Sequence, residues 1–443
     1  MNDNELMKTM PVPQAVAKMA IPSIISSLVT VVYNMADTFF VGQTGDPLQV
    51  AAVSLTNPIF ILFMAFANMF GMGGSAAASI AMGENNKKRM KQVSAFITYA
   101  SLGIGIVFAA LLVLFMQPIL GIFGANAETY DLAKGYVFHI SYGAPFIIWS
   151  AAASFVVRSE GSSREAMIGS MIGTVANIVL DPIMISGLHM GAAGAAIATT
   201  IGNVMASAYY LWYFVKKSPN FSILPKDLSL ENRLAATVCS CGLPTAIFSM
   251  LMSLSTIILN QILVAYGNAP VAAIGIVFKA NMFITFLQMG LANGVQPLLG
   301  YNFGSGDTKR FHGIESYTKK CCLFIGIAVT ALYFIFRRPI IQMFINDEEV
   351  IRYGIKMLIA YMISGPFIGI LFTNMNCMQS AGKALPATVI SVLRQGVLLI
   401  PVLYLLNALF GLNGVIYGQA LTDCITVLLS IVFWRKLSHN LYV

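Results

Sequence analysis

Five ionisable residues lie inside long apolar stretches of this 443-residue sequence: Asp37, Asp181, Lys279, Arg394 and Asp423. A charge placed in a hydrocarbon environment is costly, so each of these groups is a functional candidate by default. The two acids of the first half are the most informative. A buried carboxylate can take up and release a proton, or supply oxygen ligands to a hard cation such as Na⁺.

Asp37 and Asp181 each lie about five residues before the end of an apolar stretch, which is about 7–8 Å along a helix. The shared depth predicts a common site. Asn177 precedes Asp181 by one helical turn on the same face, and Thr199 enters the next stretch at a comparable depth. Pro182 removes a backbone hydrogen bond and bends the helix there. These groups predict a site for H⁺ or Na⁺ at Asp37, Asn177, Asp181 and Thr199.

The second half carries three of the charged candidates. Arg394 and Asp423 lie about ten residues into the last two apolar stretches, so they can pair near the membrane midplane. A structural ion pair and a role in transport both remain open for them. Lys279 has no evident partner, and we expect it to line a cavity in the second half.

The elements that position these groups are membrane helices. Apolar residues make up 57% of the chain and charged residues 10%, against roughly 25% charged in soluble proteins. A helix needs about 20 apolar residues to cross a bilayer. The sequence therefore predicts an all-α integral membrane protein with twelve transmembrane helices. We place them at 14–42, 50–82, 92–120, 132–157, 164–186, 191–215, 236–266, 271–303, 316–338, 353–380, 385–409 and 413–435.

The sequence repeats itself at an offset near 221 residues. Gly-Ala-Pro-Phe at 143–146 matches Ser-Gly-Pro-Phe at 364–367, and Val-Ala-Ala-Val at 50–53 matches Val-Ala-Ala-Ile at 271–274. Six predicted helices separate the copies, so the halves are parallel and related by a pseudo-two-fold axis along the membrane normal. Such repeats bind substrates at their interface, which indicates a transporter. The predicted domains are a six-helix bundle at 1–215, a linker at 216–235 and a six-helix bundle at 236–443.

Most lysines and arginines fall beside the N-terminus and in the even-numbered connections. By the positive-inside rule, both termini of this multi-pass protein are cytoplasmic. The net charge of +8 therefore serves orientation, and we expect the lipid bilayer rather than nucleic acid as a partner. No G-x-x-x-x-G-K-[ST] motif and no set of nucleophile, base and orienting residue is present, so we expect no ATP hydrolysis and no enzyme. We expect a monomer with no cofactor beyond a coupling ion.

Three longer motifs resemble the multidrug and toxic compound extrusion (MATE) family. They are Asn-Met-Ala-Asp-Thr-Phe-Phe-Val-Gly at 34–42, Asn-Ile-Val-Leu-Asp-Pro at 177–182 and Gly-Leu-His-Met-Gly-Ala-Ala-Gly-Ala-Ala at 187–196. The resemblance implies two bundles in a V that open alternately to either side of a bacterial cytoplasmic membrane. It implies export of drug-like organic compounds, often cationic, in antiport with H⁺ or Na⁺. By position, the family's N-terminal cation site corresponds to Asp37, Asn177, Asp181 and Thr199.

Some members of that family use an acid on the seventh helix instead. Here the predicted seventh helix, 236–266, contains no Asp or Glu, so we expect coupling in the N-terminal bundle. One alternative is a lipid or lipid-linked saccharide flippase, which Lys279 and Arg394 leave open. Another is a non-transporting membrane enzyme or receptor. The sequence does not choose between H⁺ and Na⁺.

Overall fold

The computed structural model describes residues 3–42, 46–229 and 231–441, which form helices joined by short connections. The α-helices are α1 Asp3–Lys8, α2 Val12–Gly42, α3 Pro47–Gly83, α4 Lys87–Leu114, α5 Met116–Ile122, α6 Tyr130–Ser159, α7 Ser163–Asp181, α8 Gly191–Lys216, α9 Leu234–Val264, α10 Asn268–Gly304, α11 Thr308–Ile335, α12 Arg337–Gln342, α13 Glu348–Ser364, α14 Ile368–Ser380, α15 Ala384–Val392 and α16 Leu399–Leu441. Two π-helices follow α7 and α15, at Pro182–Gly187 and Leu393–Val397.

The described helices account for the twelve predicted crossings. Nine segments are long and apolar enough to span a bilayer, and the pair α13 and α14, bent by 44°, forms a tenth. The 26-residue α8 has the required length. The final segment counts twice because the chain turns at Gly411, whose φ is 57°. Gly418 therefore packs against Leu403 of the same segment.

The two halves share their helix boundaries. Helices α3 and α10 are each 37 residues long, and α4 and α11 are each 28 residues long. The short helices α5 and α12 follow α4 and α11 in the same order. The predicted parallel repeat of two six-helix bundles is therefore confirmed in the positions of its elements.

The predicted third and ninth spans, 92–120 and 316–338, differ from the structure at both ends. Helices α4 and α11 begin earlier, inside the basic loops. The Asn86 side chain accepts a hydrogen bond from the backbone of Arg89 at 3.0 Å, and Asp307 caps Arg310 in the same way at 2.9 Å. Such caps satisfy free N–H groups in the first turn of the helix, so helix formation extends beyond the apolar stretch.

The bundles touch closely at the end that carries the basic loops. A Cβ on Gly83 would lie 2.1 Å from the Tyr301 carbonyl oxygen, and a Cβ on Gly304 would lie 2.2 Å from that of Ile80. Helix α3 meets α9 in the same way, since a Cβ on Gly242 would lie 1.8 Å from the Met69 oxygen. Glycine at these positions lets helix backbones meet directly. The contacts close this end of the interface.

The segment between α8 and α9 is fastened to the N-terminal bundle. The fully buried carboxylate of Glu160 accepts hydrogen bonds from the Tyr213 hydroxyl at 2.8 Å, from the Ser218 hydroxyl, and from the Asn220 backbone at 3.0 Å. Burial raises the pKa of Glu160, although these three donors act to lower it. The domain boundaries at 215 and 236 stay predictions, next to helix ends at Lys216 and Leu234.

Candidate functional site

A cavity of about 760 Å³ lies between the two bundles and is lined by side chains of both. The wall from the N-terminal bundle carries many amides and hydroxyls, among them Asn34, Asn177 and Thr199. The opposite wall carries the charged Arg394 and Asp423 among apolar residues, amides and hydroxyls. This volume falls in the range of about 300–1,000 Å³ that holds drug-sized molecules.

Three of the four residues predicted for the cation site form one hydrogen-bonded cluster. Asp181 ends α7 with 0% of its surface exposed. The Asn177 amide satisfies both neighbours when its nitrogen donates to Asp181 Oδ2 at 2.9 Å. Its oxygen then accepts from the Thr199 backbone N–H at 2.9 Å and from the Thr199 hydroxyl at 3.1 Å. Asn177 and Thr199 face the cavity, with Asp181 buried next to them.

Two glycines bring α7 and α8 close enough to form this cluster. A Cβ on Gly202 would lie 2.5 Å from the Gly173 oxygen and 3.3 Å from the Asn177 Cβ. Asn203 then holds Thr199 in place by donating to its carbonyl at 2.8 Å. The Asn203 oxygen accepts from the Ser150 hydroxyl at 2.9 Å, which links the cluster to α6.

Pro182 changes the helix pitch immediately after Asp181. The sequence predicted a bend here. The chain continues from Asp181 as the π-helix Pro182–Gly187, in which the Leu188 N–H donates to the Ile183 carbonyl five residues back at 2.8 Å. Widened turns of this kind occur frequently at functional sites.

The fourth predicted residue, Asp37, is on α2, and its side chain lies outside the described residues. Helix α2 packs against α7, the helix that carries Asn177 and Asp181. The shared site of Asp37 and Asp181 therefore stays a prediction.

The C-terminal bundle contains a buried ion pair at the cavity wall. Arg394 Nε donates to Asp423 Oδ1 at 2.8 Å, and the two side chains are 6% and 5% exposed. Asp423 also accepts from the Gln419 amide at 3.0 Å and from the Ser364 hydroxyl at 3.2 Å. The pairing expected from the sequence is thus present, and any role in transport stays a prediction.

Comparison with known proteins decides the family. The sequence profile of the MatE family matches the chain twice, over residues 22–183 and 244–405, once in each half. The chain belongs to the MatE family. The expected transporter, rather than an enzyme, is confirmed by this family together with the multidrug export proteins described next.

Curated relatives of this MatE protein include the multidrug export protein MepA of Staphylococcus saprophyticus. It is 32% identical over 96% of this chain and 94% of its own length. MepA of Staphylococcus aureus strain MRSA252 is 31% identical over 98% of this chain and 96% of its own length.

Solved structures share the fold. A multidrug resistance MATE transporter, described as outward-facing, matches with a TM-score of 0.94 at 23% identity, covering 100% of this chain and 99% of its own. A transporter from Pyrococcus furiosus matches with a TM-score of 0.93 at 24% identity and the same coverage. The predicted twelve-helix, two-bundle architecture is therefore confirmed.

One sequence expectation for this MatE protein is wrong. Lys279 was expected to line the cavity, but its side chain is exposed and is absent from the described cavity wall. Helices in a membrane are apolar almost all round, so the sequence does not show which face of α10 meets the cavity. Phe278 and Met282, which flank Lys279, line the cavity instead.

Several polar residues of the site were missed at the sequence level. Asn203 follows Thr199 by one turn of α8, and that spacing was the available signal. Gln419 precedes Asp423 by one turn in the same way. No sequence spacing indicates Phe248 and Phe372, because their rings contact Arg394 only through the packing of α9 and α14.

A metal centre of the usual kind is not seen in the described ranges, where no three His, Cys, Asp or Glu side chains come together. The oxygens available to a Na⁺ ion are instead those of Asn177, Asp181 and Thr199. Binding of H⁺ or Na⁺ at these oxygens stays a prediction.

Proposed function

We propose that this MatE protein exports drug-like organic compounds, many of them cationic, in exchange for H⁺ or Na⁺ by alternating access. The observation that carries the proposal is the cavity of about 760 Å³ between the bundles, with a buried carboxylate cluster in one wall. The multidrug export proteins related to the chain over nearly its whole length support it. The membrane is the bacterial cytoplasmic membrane, with both termini on the cytoplasmic side.

We infer the state of the transporter from the closed end of the interface. Gly83, Gly242 and Gly304 bring the bundles together where the basic loops lie, and those loops are cytoplasmic under the positive-inside rule. The structure then corresponds to the outward-facing state. The likeness to a MATE transporter described as outward-facing supports this assignment.

Asp181 couples the ion to the cargo through Asn177. An ionised Asp181 accepts a hydrogen bond from the Asn177 nitrogen, and the Asn177 oxygen accepts from Thr199. A proton or Na⁺ on the carboxylate weakens its charge and competes with the Asn177 amide for its oxygens, which weakens the hydrogen bond that orients this amide. Because Asn177 and Thr199 line the cavity, ion binding changes the surface that the cargo contacts. Cargo and ion then exclude each other, as antiport requires.

The flippase alternative lacks support in the cavity wall. A site for lipid phosphates needs several basic side chains, since phosphates bind to Arg and Lys. Among the described lining residues Arg394 alone is basic, and it is paired with Asp423. A drug-like cargo fits this wall better.

The proposal is tested by reconstituting the protein in liposomes with a fluorescent cationic dye. We expect dye transport under a pure pH gradient or a pure Na⁺ gradient, and the active gradient identifies the coupling ion. Liposomes without protein are the control. Dye movement under neither gradient contradicts the proposed antiport. Asp37→Asn then tests the part of the site that lies outside the described side chains, and we expect that variant to lose coupling.

A further inference from the structure

Arg158 is a buried cation of the N-terminal bundle that takes no part in the Asp181 cluster. It lies in the last turn of α6 and is 6% exposed. In the described part of the chain no acidic side chain pairs with it, and its Nε has no hydrogen-bond partner. Arginine is almost never fully buried unless it is paired. A charge kept inside a membrane bundle without a counter-ion indicates a function.

Arg158 continues the face of α6 that lines the cavity. Ala151 and Phe155 are part of the cavity wall, and residue 158 follows residue 151 by about two helical turns, so the two share one side of the helix. The Arg158 Cζ atom lies 5.3 Å from the centroid of the Phe155 ring. Arg158 itself is absent from the described wall. The guanidinium therefore lies just beyond the cavity, about 4.5 Å further along α6 than Phe155.

The two bundles meet at the same level. On α3, a Cβ on Gly71 would lie 2.5 Å from the Phe155 ring, and a Cβ on Gly73 would lie 1.9 Å from the Val238 carbonyl oxygen of α9. The backbones of α3 and α9 are thus in direct contact beside Phe155. We call this contact of Gly73 with Val238 the seam. Arg158 lies level with the seam, at the end of the cavity that is cytoplasmic in the proposed orientation.

A fixed positive charge at this level opposes the passage of cations. Like charges repel several times more strongly in a medium of low dielectric than in water, and an arginine excludes protons and cations from some membrane pores in this way. The Phe155 ring stabilises the guanidinium without neutralising it, because a cation–π contact supplies no counter-charge. When the bundles open toward the cytoplasm, water reaches Arg158 and screens its charge, so an ion can then leave.

We propose that Arg158 is the ion barrier of the closed seam and prevents H⁺ and Na⁺ in the cavity from reaching the cytoplasm without an exchange of cargo. This inference rests on the proposed function and assigns a residue to one requirement of it. The cavity has to admit the coupling ion from outside so that the ion can reach Asp181. A barrier beyond the cavity is therefore needed for tight antiport.

The test measures the passive entry of ions, without cargo, into liposomes that contain the purified full-length protein. Entrapped dyes sensitive to pH and to Na⁺ report each ion under a membrane potential that is negative inside. We expect Arg158→Met to raise the entry of both ions about tenfold or more. Arg158→Gln is also neutral and should do the same, whereas Arg158→Lys keeps the charge and should match the native protein. Arg164→Met, at an exposed arginine, is the matched control.

Chloride entry distinguishes a charge barrier from loosened packing. A positive charge excludes cations only, so Arg158→Met should leave chloride entry no higher than in the native protein. An equal rise for chloride and the two cations would show a loosened seam and overturn the barrier. Native cation entry in both neutral variants would overturn it as well, and so would entry in Arg158→Lys as fast as in Arg158→Met.

Gradient-driven export of a cationic dye is measured in the same liposomes. If the native protein exports the dye and the neutral variants admit no more cations than it does, the barrier fails and the proposed function stands. If the native protein moves no dye under either gradient, the proposed function itself fails.

Discussion

The side-chain amide of Asn177 links the buried carboxylate of Asp181, 2.9 Å from its nitrogen, to the backbone N–H of Thr199, 2.9 Å from its oxygen. Asp181 is fully buried, whereas Asn177 and Thr199 line the cavity. We propose that this amide couples ion binding to cargo release, because a change on Asp181 reaches the cavity wall through a single side chain.

Removing the amide should uncouple ion and cargo. We expect Asn177→Ala to lower gradient-driven dye transport about tenfold, because hydrogen bonds to charged groups contribute about 1.5–3 kcal/mol. The measurement is initial dye uptake in liposomes. Asn413→Ala, at an exposed position, is the matched control and should behave like the native protein. Native rates in Asn177→Ala would show that Asp181 does not act through this amide.

The close approach of α7 and α8 should be required for the same site. A methyl group at residue 202 would lie 2.5 Å from the Gly173 oxygen, so Gly202→Ala forces the helices apart. Overpacking of this kind costs about 1–3 kcal/mol. We expect reduced thermal stability and reduced transport together. Gly103→Ala adds a methyl group where no atom lies within 4 Å, and it should change neither. Unaltered stability and transport in Gly202→Ala would contradict the packing argument.

The glycine contacts between bundles should control which side is open. Gly242→Ala would place a methyl group 1.8 Å from the Met69 oxygen, which prevents closure at the basic end. The measurement is the rate at which a thiol reagent labels Cys241, which is 1% exposed in the structure. The other five cysteines are replaced by serine in this experiment. We expect faster labelling than in the same protein with Gly275→Ala, where the added methyl meets no atom within 4 Å. Equal rates would exclude these contacts as the closure.

Glu160 should make the stability of the linker contact depend on pH. Burial raises its pKa in the folded protein above the ordinary value of 4.5. Because the folded pKa is raised, protonated Glu160 contributes fully to the free energy of unfolding below about pH 4.5. That contribution is lost as the pH rises through the folded pKa. We expect the melting temperature of the native protein to fall, relative to that of Glu160→Gln, as the pH rises from about 4.5 through the folded pKa of Glu160. Parallel melting curves across pH 4–8 would show that Glu160 does not titrate there.

The sequence predicted the helices and the N-terminal cluster because both depend on simple periodicity. Asn177 and Asp181 are one turn apart, and equal depth along neighbouring spans placed Thr199 beside them. The π-helix after Pro182 was not predicted, since the removal of one N–H does not determine how the following turn is hydrogen-bonded. The packing of the Phe248 and Phe372 rings against the Arg394 guanidinium depends on contacts between helices that are distant in sequence. The exposure of Lys279 depends on helix rotation, which an apolar sequence leaves undetermined.

The measurement that tests the central claim most directly is gradient-driven dye export by Asp181→Asn in liposomes. The asparagine has nearly the same shape but cannot take up a proton and holds Na⁺ less well. We expect gradient-driven export to be lost while dye binding to the purified protein is retained. The control, Asp131→Asn, changes an exposed acid on α6 and should export at the native rate. Native export by Asp181→Asn would contradict the assignment of ion coupling to the N-terminal bundle.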